Sequence, residues 1–80
     1  MTLEEAWNDL HDAVPPGWYC GTPQFNQRRN EWSIYAFDTT EQVKIGKRSR
    51  EWTTVHPTQD GVLREMARCL REIAEGRVPR

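Results

Sequence analysis

The clearest hydrophobic rhythm lies near the end of the chain, where Val62, Leu63, Met66, Ala67, Leu70, Ile73 and Ala74 recur three and four positions apart. That spacing marks one face of a helix. Thr58 is placed to cap it, Asp60 falls in its first turn, and Gly76 followed by Pro79 ends it. A second helix is predicted at the start, where Leu3, Ala6, Trp7, Leu10, Ala13 and Val14 share a face. Thr2 with Glu5 three residues later forms a capping box, and Glu4 and Glu5 suit the positive end of the helix dipole. Pro15-Pro16-Gly17 stops that helix.

Between the helices the pattern changes to short β-forming runs. Residues 17–22 (GWYCGT) and 31–37 (EWSIYAF) are predicted strands. Residues 23–30, opened by Pro23, are predicted to form a loop, and residues 38–41 (DTTE) a turn. Residues 42–55 allow either one long strand bulged near Gly46 or a loop followed by a strand over 51–55. Pro57 disfavours helix at His56 and closes the sheet region. The expected fold is α+β, a single α-β-β-β-α domain over residues 1–80. A three-stranded antiparallel sheet carries both helices on one face.

Two stretches echo each other, RRNEWS at 28–33 and RSREWT at 48–53. In each, basic residues lead into Glu-Trp and a hydroxyl residue. The plainest reading is two strand entries on one plan, with Trp32 and Trp52 turned toward the helices. Eighty residues is near the lower limit for a self-sufficient core. Four tryptophans, at 7, 18, 32 and 52, supply apolar area efficiently.

The overall charge is 11 − 12 = −1, which argues against a general polyanion binder. Its distribution is uneven. Residues 1–16 carry four acids and no Lys or Arg, whereas residues 26–55 carry six Lys/Arg against four acids, a local +2. Cys20 and Cys69 are far apart and form no C-x-x-C pair. No apolar run reaches membrane-spanning length and no signal segment is visible, so a soluble cytoplasmic protein with reduced thiols and no membrane partner is expected.

Catalysis is not expected. His11 and His56 have no motif around them, the acids and cysteines show no metal-ligand spacing, and the five glycines are dispersed. No cofactor or metal is implied. Two binding surfaces are candidates. One is the basic set Arg28, Arg29, Lys44, Lys47, Arg48 and Arg50, which would converge at one end of the sheet and hold phosphates or an acidic partner. The competing reading of those charges is a solvated strand edge that resists edge-to-edge pairing. The other surface is the sheet face away from the helices. If Trp32, Ile34 and Ala36 point inward, Ser33, Tyr35 and Phe37 point outward. Exposed Tyr35 and Phe37 would then stack on bases or contact a protein. With the opposite register they would be core instead.

The order helix, three strands, helix is similar to the double-stranded RNA-binding domain. That resemblance implies RNA contacts from the first helix, from the loop between the first two strands, and from a basic start of the last helix. Arg28 and Arg29 fit the loop. Asp60 in TQDGVLRE and the acidic outer side of the first helix depart from the pattern. The stretches PPGWYCG, EWSIYAFD, RSREWT and REMARCLREI also resemble a group of short actinobacterial proteins, a likeness that implies no activity. The expectation is therefore a non-catalytic binding module that contacts a protein or a second copy of itself through the open sheet face. The alternative is nucleic-acid binding through 28–29 and 44–50.

Overall fold

A computed structural model describes residues 2–39, 51–77 and 79. It contains α1 (Leu3–Ala13), β1 (Trp18–Cys20), β2 (Gln24–Asn26), β3 (Glu31–Asp38), β4 (Glu51–His56) and α2 (Gln59–Ala74). Both helix starts use the expected caps. The Thr2 side chain accepts from the Glu5 N–H, and the Thr58 side chain from the Gly61 N–H. Gly76, at φ 81°, closes α2. Its N–H bonds the Ile73 carbonyl at 3.0 Å, and the Arg77 N–H bonds the Glu72 carbonyl at 2.8 Å. These two bonds are the paired closure of a left-handed helix cap. After α1, the Trp18 N–H returns to the Pro15 carbonyl at 3.1 Å. Gly17, at φ 84°, supplies the positive dihedral that this tight reversal needs.

The sheet is antiparallel and has four strands, not three. β4 runs along one edge of β3 from residue 32 to residue 37. β1 and β2 therefore share the other edge, β1 opposite 36–38 and β2 opposite 31–33. They are two halves of one interrupted edge strand. Gly21 still pairs with Tyr35, its N–H reaching the Tyr35 carbonyl at 2.9 Å. Gln24 pairs with Ser33. Thr22 and Pro23 thus face Ile34 alone, which is a bulge. Proline is tolerated there because it has no N–H to give to a ladder. The bulge expected near Gly46 lies outside the described residues.

The echoed segments both open strands, since Glu31-Trp32 begins β3 and Glu51-Trp52 begins β4. Trp32, Ile34 and Ala36 turn toward the helices, as do their β4 partners His56, Thr54 and Trp52. α2 lies on β3 and β4, and α1 packs along α2. The core joins Ala6, Leu10 and Ala13 to Ile34, Ala36 and the buried stripe of α2, with all four tryptophans half-buried against it. Ala74, expected in that stripe, is exposed.

Charged side chains of α2 pair both within the helix and with α1. Arg68 pairs with Glu72 at 3.1 Å and also with Glu65. Arg71, four residues before Glu75, instead reaches Asp9 of α1, while Glu75 pairs with Arg77. The hydrogen bond from Arg71 holds the Asp9 carboxyl below its ordinary range. A carboxyl depressed on folding stabilises the fold above its unfolded pKa and loses that effect as pH falls through the folded value. Arg71 is exposed and Asp9 partly so, and solvent screens the pair, so Asp9→Asn is expected to cost about 1 kcal/mol or less at neutral pH. In urea unfolding, the gap between this variant and the parent should close in strong acid. A gap that persisted there would show that the contact is not electrostatic.

Candidate functional site

The outward side of the sheet carries four rows of side chains set by strand register, the last being Asn26 with Glu31. Tyr19, Phe37 and Glu51 form one row, Gly21, Tyr35 and Thr53 the next, and Gln24, Ser33 and Val55 the third. No helix covers this side among the described residues, because α2 and α1 both lie on the other. Tyr19 is 51% exposed, Tyr35 43% and Val55 54%. The Tyr19 and Phe37 rings are 5.2 Å apart, and Tyr35 and Phe37 stand nearly parallel with centroids 6.2 Å apart. Together they form an aromatic patch at one end of the face. The two expected residues, Tyr35 and Phe37, are thus brought together. Tyr19 joins them as the direct cross-strand partner of Phe37.

Beyond Ser33 the face becomes polar. Gln24, Phe25, Asn26, Gln27, Arg28 and Ser33 line an open groove of about 470 Å³. Phe25 belongs to the helix side, since the bulge reverses the alternation of β2, and its ring rests 5.3 Å from Trp32. The turn at 27–30 is held by the Arg28 N–H donating to Asn26 Oδ1 at 3.0 Å, and Asn30 takes a left-handed conformation at φ 51°. Both features suit asparagine.

Arg28 and Arg29 are exposed in this turn, with Arg29 4.0 Å from Glu31. Lys44, Lys47, Arg48 and Arg50 lie outside the described residues. The chain leaves β3 at Thr39 and enters β4 at Glu51, at the end of the sheet opposite the 27–30 turn. Successive turns of an antiparallel meander fall at alternate ends. Arg28 and Arg29 therefore lie at the opposite end of the sheet from Thr39 and Glu51, and their expected convergence with Lys44, Lys47, Arg48 and Arg50 lies outside the described residues. Arg28 and Arg29 share their end with the start of α2, where Thr58, Asp60 and Gly61 follow β4.

His56 stands in a separate cleft of about 330 Å³ with Asp9, Gly61, Arg64, Glu65 and Arg68. The Thr58 N–H donates to its Nδ1 at 3.1 Å, and Thr58 Oγ1 lies 3.1 Å from the same nitrogen. The neighbouring Glu65 carboxylate is engaged by Arg68 and held below its ordinary range by that hydrogen bond. His11 is exposed on α1 with its ring 6.2 Å from Trp7. Among the described residues, no group of three His, Cys, Asp or Glu side chains is placed to hold a metal ion, and no helix is long and apolar enough to cross a membrane.

Both cysteines are free thiols on the helix side of the sheet. Burial pushes Cys20 up to about 11 from its ordinary 9.0, and burial raises Cys69 as well. The thiolate is the reactive form. Alkylation of the folded protein at neutral pH should accordingly be slow at both residues and should accelerate sharply in denaturant. Rapid modification of Cys20 in the native protein would contradict the packing of β1. A raised thiol pKa also means that stability is lost as pH rises from about 9 toward 11, because only the unfolded chain ionises in that interval.

No protein family model, curated protein or solved structure matches the chain.

Proposed function

We propose that this chain is a non-catalytic binding module whose outer sheet face docks on another protein surface, with a second copy of the chain as the simplest such partner. The observation that carries this reading is the Tyr19–Phe37–Tyr35 patch on a face that no described helix covers. Protein interfaces concentrate aromatic residues at the centre, keep charge out of it, and accept arginine. The rows nearest the aromatic patch have that character, with Glu51 at one end of the face, Glu31 at the other and Arg28 lining the groove.

The size of the face sets the expected strength. Three strands about 4.8 Å apart and six residues at about 3.3 Å each span only roughly 300 Å². A standard interface uses about 800 Å² per partner. Association through this face alone is therefore weak and transient.

The rival reading, nucleic-acid binding, draws on Arg28 and Arg29 at the same end as the start of α2. Phosphate binding would weaken steeply with salt. The aromatic patch is six residues along β3 from that turn, about 20 Å at strand spacing.

Amide chemical shifts separate the readings when the protein is concentrated alone and when it is titrated with short single-stranded and duplex oligonucleotides at low and near-physiological salt. Concentration-dependent shifts at Tyr19, Tyr35, Phe37 and Thr53 are the expected result. Salt-sensitive shifts centred on Arg28 and Arg29 with oligonucleotide, and none on concentration, would replace the protein-binding reading with the nucleic-acid one.

A further inference from the structure

No further inference is drawn: the strongest candidate, the cleft where His56 at the end of β4 meets Asp9 of α1 and Arg64, Glu65 and Arg68 of α2, carries none, because Arg71 and Arg68 already engage its two carboxylates and nothing in the structure shows what fills it.

Discussion

Gly61→Ala is expected to destabilise the fold by about 2 kcal/mol, although alanine is ordinarily better than glycine inside a helix by about 1 kcal/mol. The reversal comes from what stands over the first turn of α2. A Cβ at residue 61 would land on Nδ1 and Cε1 of His56 and lie 2.6 Å from Thr58 Oγ1. These groups are tied to one another. The Thr58 N–H donates to His56 Nδ1 at 3.1 Å, and Thr58 Oγ1 accepts from the Gly61 N–H at 3.1 Å, which is the cap of the helix. Making room means moving the imidazole out of its seat and disturbing the cap together. Loss of a threonine cap costs about 1 kcal/mol, and forcing atoms into a filled site about 1–3 kcal/mol. The helix-propensity gain offsets only part of that. Urea unfolding of Gly61→Ala, His56→Ala and the pair decides the matter. With the imidazole removed, the new methyl group has space, so Gly61→Ala should be neutral or favourable on the His56→Ala background. If Gly61→Ala alone is as stable as the parent, the imidazole is not seated as described.

This seat is not visible in the sequence, and the reason shows where pattern reasoning stops. The cap at Thr58 and the stripe from Val62 to Ile73 follow from spacing, and both are present. His56 reads only as a turn residue before Pro57, because nothing local says that a ring closing β4 will cover a glycine five positions later. The broken edge strand is hidden in a similar way. Gln24, Phe25 and Asn26 are all exposed, so they show no alternation, and Pro23 marks a loop opening as readily as a bulge. What makes them a strand is the partner residues Ser33, Trp32 and Glu31 across the hairpin. Tyr19 escapes notice as a site residue for the same cause. It sits on a three-residue strand, and only its register opposite Phe37 places it in the patch. The orientation of β3, by contrast, is legible as a choice between two faces. The buried partners Ile34 and Ala36 resolve it. The Arg71–Asp9 contact spans 62 positions in the chain, beyond the reach of any i,i+4 rule.

Phe37→Ser is expected to separate binding from folding more sharply than any other single change. Phe37 lies at the middle of the patch, with the Tyr19 ring on one side and the Tyr35 ring on the other. On the helix side, β3 keeps Ile34 and Ala36 in the core whether or not residue 37 is aromatic. The fold therefore loses one cross-strand aromatic contact and one neighbour, a cost of about 1 kcal/mol. Binding loses much more. Hot-spot energy concentrates in central aromatic anchors and reaches about 2 kcal/mol or more, roughly thirtyfold in affinity. Because the whole face spans so little area, no peripheral contact is large enough to compensate. Sedimentation equilibrium and urea unfolding on the same sample read the two effects side by side. Loss of association with a native amide spectrum is the expected outcome. Strong self-association that survives Phe37→Ser would move the interface off this face altogether. Arg28→Ala should leave both measurements nearly unchanged, since that side chain lies at the rim, where single charges alter encounter rates more than affinity.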